Sequence, residues 1–232
     1  MARLPRLAIA HQVHHVLQSG HNRGTIVQDD ADALEILGMM GNAAAKFGVA
    51  IHAWAVMPSH FHLLVTPESD QSLAAMMQAL GRDYVRYFNK RHLRVGTLWA
   101  GRYRSALIEA EHFLLPCMVF MDLHAVRSGL VESPEDYPWS SYRQHAGLPA
   151  SHSLPKLLPH PEMWRLGNTP FDREARYREL VGAEYGAERA DQIIDAIRGG
   201  WALGSPEFGA RMQQLTPRRV SKSRPGRPAK LG

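Results

Sequence analysis

Apolar residues recur along this chain at two alternating periods, and the alternation divides it into blocks. Residues 5–20 (PRLAIAHQVHHVLQSG) predict an N-terminal strand. Over 30–47, Leu34, Leu37, Ala44 and Phe47 share one helical face. Asp29 or Asp30 can cap that helix and Gly48 can end it. Residues 49–57 (VAIHAWAVM) are rich in β-formers and predict a strand between Gly48 and Pro58. A second strand over 60–66 follows the Pro58-Ser59 turn, short enough to make the two antiparallel neighbours. Residues 72–91 carry Leu73, Met76, Met77, Leu80, Tyr84 and Phe88 at helical spacing behind an N-cap at Ser72. Residues 101–109 predict another strand. Residues 111–128 predict a helix with Leu114, Cys117, Met121 and Ala125 inward, Pro116 near its first turn and Gly129 as its stop.

The resulting order, β-α-β-β-α-β and then a helix, predicts an α+β fold with a ferredoxin-like antiparallel sheet. Helices would cover one face and leave the other available. Residues 1–131 form this domain. Residues 132–170, rich in Pro, Ser and His, read as a linker or ordered loop. Weak helical patterns over 171–184, 187–198 and 206–215 predict a helical appendage spanning 171–215. Two of these helices around a Gly-rich turn are compatible with a helix-turn-helix, but a plain appendage fits as well.

Composition narrows the class. With 45% apolar and 21% charged residues the chain suits a folded body rather than a disordered one. A single cysteine, Cys117, excludes a disulfide framework and favours a reducing compartment. No stretch approaches the roughly 18 apolar residues of a membrane span, and the N-terminus lacks a signal-peptide block, so a cytoplasmic protein is expected. The net charge of +5 is carried by a tail, 216–232, that holds Arg218, Arg219, Lys222, Arg224, Arg227 and Lys230 without an acid. A second basic run, Arg82, Arg86, Lys90, Arg91, Arg94, Arg102 and Arg104, is interleaved with Tyr84, Tyr87, Phe88, Trp99 and Tyr103. Guanidinium groups hold phosphates and aromatic faces stack unpaired bases, so DNA is the expected partner. A solvated helix face is the bland alternative, and a protein-binding module of the same fold is the competing class.

The chemistry concentrates in Met57-Pro58-Ser59-His60-Phe61-His62. Strand residues two apart share a face, so His60 and His62 project together and can grip one ion, while Phe61 and Leu63 anchor the strand. Taken alone, a His-x-His pair is a weak signal among 13 histidines. The string WAVMPSHFHLLVTP, however, resembles the HUH motif of the single-tyrosine transposases, and most closely that of the REP-associated tyrosine transposases. The likeness continues through MMQALGRDYVRYFNKRH, GTLWAGRYRSALIE, YPWSSY and the ending GWALGS. It implies that His60 and His62 hold Mg²⁺ or Mn²⁺ against a scissile phosphate of single-stranded DNA. It implies that a helix tyrosine attacks phosphorus, leaving a 5′-phosphotyrosine and a free 3′ hydroxyl. It also implies a hairpin-forming DNA partner, a monomer or homodimer, and a place at the bacterial nucleoid.

The chain departs from that pattern where relatives carry their nucleophile, for here stands Phe120, which has no hydroxyl. Four residues on, an amide is replaced by His124. Three readings follow. The protein binds DNA hairpins without cutting them. Or Tyr84, Tyr87 or Tyr103 replaces the nucleophile. Or His60, His62 and His124 form a three-imidazole site that favours Zn²⁺ or Mn²⁺ and activates water. His14, His15 and His52 can approach the same sheet face but are expected to satisfy local hydrogen bonds or to stack on nucleotides. Cys117 is expected to be buried and inert. Arg82, Arg86, Lys90, Arg91, Arg102 and Arg104 are the expected DNA contacts. The tail around Arg224, Pro225, Gly226, Arg227 and Lys230 resembles a partial AT-hook for A·T-rich duplex.

Overall fold

A computed structural model describes residues 7–149 and 154–222. The elements in chain order are β1 (Val13–Ser19), α1 (Asp30–Lys46), β2 (Val49–Met57), β3 (His60–Pro67), α2 (Ser72–Arg91), β4 (Arg104–Ile108), α3 (Ala110–Asp122) and α4 (His124–Arg127). They continue with α5 (Tyr142–His145), α6 (Pro161–Trp164), α7 (Pro170–Ala183), α8 (Ala187–Gly199), β5 (Ala202–Leu203) and α9 (Pro206–Gln214). The strands lie in the order β2-β3-β1-β4-β5. The first four are antiparallel neighbours, as the ferredoxin-like pattern requires, and β5 joins β4 in parallel. The sheet is therefore mixed rather than wholly antiparallel. A strand of two residues leaves no periodic trace in a sequence.

Sequence and structure agree closely where the hydrophobic period is strong. Asp29 caps α1, its carboxylate accepting from the Asp32 amide at 3.1 Å. Differences fall where local chemistry intervenes. The first strand begins only at Val13, because residues 7–12 run as turn and coil. Gln71 rather than Ser72 precedes α2, and Ser72 is its first residue. The predicted helix over 111–128 breaks at Leu123 into α3 and α4. Pro116 lies in the middle of α3, not near its first turn, so one helical hydrogen bond is missing inside a buried helix.

Both faces of the sheet are covered, contrary to the one-sided expectation. On one face α1 and α2 pack over Val16, Ile51, Trp54, Phe61, Leu63 and Val65. On the other, α3, α7 and α8 cover Val13, Ala53, Ala55, Leu64 and Ala106. Tyr177, Val181, Ile193 and Ile197 thus share one core with the sheet and α3. A bulge between Ile51 and Ala53 makes His52 the extra residue of β2. The free edge of β2 is capped by the segment around Trp139 and Ser141: Val56 donates to the Trp139 carbonyl and Ser141 to that of Trp54. This pairing protects an otherwise exposed edge.

Asp122, fully buried at the end of α3, locks this side together. Its carboxylate accepts from Tyr177 Oη at 2.6 Å and from Ser141 Oγ at 3.1 Å, and His145 Nδ1 lies 3.3 Å away. No helix among the described residues is long and apolar enough to cross a membrane.

Candidate metal centre and nucleic-acid clefts

The tight turn at Pro58-Ser59 starts β3 at His60, and strand alternation then sets the site. Phe61 and Leu63 enter the core under α1 and α2, while His60 and His62 emerge on the other face with ring centroids 5.2 Å apart. The break at Leu123 starts α4 at His124, whose ring lies 5.0 Å from His60 and 5.1 Å from His62. One ring nitrogen of each of the three lies within 4.8 Å of the others. His60 Nε2 and His124 Nε2 are 2.8 Å apart. Phe120 closes one side, its ring 6.0 Å from His62 and 5.8 Å from His124. Arg127 stacks over that ring at 4.7 Å and donates to the Phe120 carbonyl.

Burial lowers the pKa of His60 and of His124 to about 4. It holds His62 well below the usual imidazole range, with help from its neighbouring histidines. At neutral pH the three rings are uncharged and offer lone pairs, which is the state a cation requires. Outer contacts orient two of them. Ser59 Oγ is 3.1 Å from His60 Nδ1, and His15 Nε2 is 2.8 Å from His62 Nδ1. The donor set therefore fits a divalent cation. Three imidazoles suit Zn²⁺ or Mn²⁺ better than Mg²⁺, which prefers oxygen.

Histidines kept neutral by burial make stability depend on pH. His14 and His52 also fall to about 4, and His15 to about 3, all chiefly through burial. The unfolded chain takes up protons near 6.5, whereas the folded protein does not do so until near 4. Stability is thus complete above pH 6.5 and is lost as pH falls toward 4. At pH 5 a fully buried ring such as His14 costs about 2 kcal/mol. Calorimetry of the metal-free protein should give a Tm at pH 5.0 several degrees below that at pH 7.5. Equal values would mean that these rings are solvated in solution.

The cluster opens into a cleft of about 740 Å³ whose walls include Leu17, Ser19, Ile194 and Ile197. Arg23, Arg104 and Arg198 also line it. Arg23 and Arg198 were not among the sequence candidates. The first sits in a short 3-10 turn, His21–Arg23, and the second in the last turn of α8, far away in the chain. Arg104 donates to the Arg198 carbonyl at 2.7 Å, joining β4 to α8.

The basic run read as one cluster is divided by the sheet. Arg104 faces the histidines. Arg82, Arg86 and Arg102 line a second cleft of about 860 Å³ on the α2 side, with Gln18, Trp99 and Tyr103. Lys90 is exposed on α2. Arg91 is not available to a ligand: it is paired with Asp29 at 2.7 Å and with buried Asp32 at 2.5 Å, which fastens α2 to the start of α1. The substitute nucleophiles also fail on position. Tyr84, Tyr87 and Tyr103 belong to the core on the α1–α2 face, across the sheet from the histidines. Tyr84 is buried and donates to the Ile26 carbonyl at 2.6 Å, and burial pushes its phenol pKa up. Among the described residues no tyrosine lines the histidine cleft. His52 is turned aside by the bulge and bonds Thr66 Oγ1 and the Leu158 carbonyl. His14 bonds the Gln12 carbonyl, whereas His15 joins the cluster. Cys117 is buried, and burial raises its thiol pKa. Arg224, Arg227 and Lys230 lie outside the described residues.

Comparison with known proteins fits this architecture. Residues 8–114 match the family model described as Transposase IS200 like. That stretch includes His60 and His62 and stops short of Phe120 and His124. The Haemophilus influenzae protein named "Putative REP-associated tyrosine transposase" is 26% identical over 102 residues, which are 40% of this chain and 58% of that relative. The chain therefore spans little more than half the length of that relative. A solved REP-associated tyrosine transposase, bound to a REP hairpin, superposes with a TM-score of 0.52 at 16% identity, covering 69% of this chain and 100% of that one.

Proposed function

We propose that this chain, whose residues 8–114 match the family model described as Transposase IS200 like, acts as a member of that family and binds hairpin or single-stranded DNA at the histidine cleft without tyrosine-mediated cleavage. The observation that carries this reading is the composition of the cleft. Arg23, Arg104 and Arg198 surround His60, His62 and His124, while the ring of Phe120 stands against the histidines where a phenol would be needed. The hairpin is the ligand of the structural relative, and hairpin DNA is proposed here by that likeness.

Each group then has a task. His60, His62 and His124 hold the divalent cation, which supplies positive charge beside a phosphoryl oxygen when bound. Arg23, Arg104 and Arg198 neutralise neighbouring phosphates, and Ile194 and Ile197 exclude water from one wall. On the α2 side, Arg82, Arg86 and Arg102 hold backbone while Trp99 stacks on a base. The basic segment with Arg224, Arg227 and Lys230 adds contacts to A·T-rich duplex. The working form is a monomer or homodimer at the bacterial nucleoid.

Fluorescence anisotropy with a labelled hairpin carrying a single-stranded flank tests the assignment. Binding should weaken steeply with salt. Arg104→Ala and Arg198→Ala should each weaken it about tenfold and flatten the plot of log K against log salt by about 0.7. Unchanged affinity and slope in both variants would place the ligand elsewhere. Incubation of the wild type with Mn²⁺ should leave the oligonucleotide intact.

A second reading is favoured by one observation, the convergence of three neutral imidazoles beside open space. Three histidines and a cation can acidify a water, making the protein a metal-dependent nuclease. Cleavage with Zn²⁺ or Mn²⁺ that leaves no protein on the DNA, and that is lost in His124→Ala, would establish this second reading over the first.

A further inference from the structure

The histidine nearest the cluster does not face the cleft at all. His15 lies in β1, paired across the sheet with Leu64, and sits diagonally from His62, whose own partner is Leu17, two residues further along β1. It is fully buried. Its Nε2 is 2.8 Å from His62 Nδ1, and its other nitrogen, Nδ1, is buried without a hydrogen-bond partner. The edge of Phe120 packs at 6.1 Å. The ring is therefore held by one polar contact, and that contact is His62.

We infer that His15 is the positioning residue for His62: its Nε2 accepts the Nδ1 proton of His62 and leaves the lone pair on His62 Nε2 for the cation. This rests on the metal reading given above. A neutral imidazole carries one ring proton, so the pair has two arrangements. In one, His62 Nδ1–H donates to His15 Nε2, and His62 Nε2 is free to bind a cation. In the other, His15 Nε2–H donates to His62 Nδ1, and His62 Nε2 carries a proton and cannot bind one. Ligation selects the first arrangement, and His15 is the acceptor that makes it available.

Packing alone does not account for a histidine at this position. Either arrangement leaves His15 Nδ1 buried and unpaired, which destabilises the fold. A leucine would fill similar space without that cost. His15 is thus a carbonyl-like acceptor built from an imidazole, reaching the site from a neighbouring strand.

The test uses the full chain and titration calorimetry with Mn²⁺ and with Zn²⁺. His15→Leu should weaken metal binding 10–100-fold while the metal-free Tm stays equal or rises. His15→Gln, whose amide oxygen can accept the same proton, should bind within a few-fold of wild type. If wild type binds metal and His15→Leu binds as tightly, this inference falls and the metal site stands. If wild type binds neither ion, both fall. Should His15→Leu not fold, the imidazole nitrogen spectrum of metal-loaded wild type decides. A proton on His62 Nδ1 is expected, and one on His62 Nε2 would overturn the assignment.

Discussion

On the proposed function, Phe120→Tyr is expected to make the protein become covalently joined to single-stranded DNA. The ring of Phe120 already sits 6.0 Å from that of His62 and 5.8 Å from that of His124, on the last turn of α3. The guanidinium of Arg127 over the ring would favour the phenolate over the phenol. In the expected step the phenol oxygen bonds to phosphorus and loses its proton. The bond from phosphorus to the 3′ oxygen breaks, and that oxygen leaves as a hydroxyl. In other covalent catalysts, removing the nucleophile costs on the order of 10⁶ in kcat, so the gain from restoring one should be close to all-or-none. A denaturing gel of a labelled oligonucleotide with Mn²⁺ would show a protein–DNA band in Phe120→Tyr and none in wild type. DNA binding without any adduct in the variant would mean that the scissile phosphate does not reach this ring.

Asp122→Ala should cost about 3–5 kcal/mol of stability, the range for removing one member of a buried polar set and stranding the rest. The carboxylate is the common partner of Tyr177, Ser141 and His145, three groups contributed by α7, the segment capping β2, and α5. Tyr177 is fully buried, and burial next to Asp122 raises its phenol pKa, so it stays a donor at neutral pH. A fall in Tm of roughly 10 °C is expected. Tyr177→Phe should cost much less in the Asp122→Ala background than in wild type, since the two act as one unit. Additive losses would show that Tyr177 is held by packing instead.

The parts of this structure legible from sequence are those whose hydrophobic period is long and whose ends are marked. The strand over Val49–Met57 and the helix over Ser72–Arg91 are of this kind. The His60/His62 pair was legible because strand alternation is a local rule. Other features depend on contacts between distant segments. Arg198 reaches the cleft only because α8 folds back on β4. In the sequence Arg91 reads as part of a nucleic-acid surface because its partners, Asp29 and Asp32, lie about sixty residues upstream. The bulge at His52 reverses the facing of β2 with no marker residue. His15 was visible as a histidine on a strand, but its pairing with His62 required the register of β1 against β3.

Arg102, in the bend before β4, and Arg104, the first residue of β4, line different clefts, and this bears on the shape of any ligand that would use both. A duplex is stiff over about 150 base pairs, and a straight rod lying along one face cannot enter the other. Ser19 lines the histidine cleft and Trp99 the α2-side cleft, so a ligand using both would have to bend around the sheet. If the protein binds DNA as proposed, a ligand filling both clefts would be a junction, where a rigid stem gives way to a pliable strand.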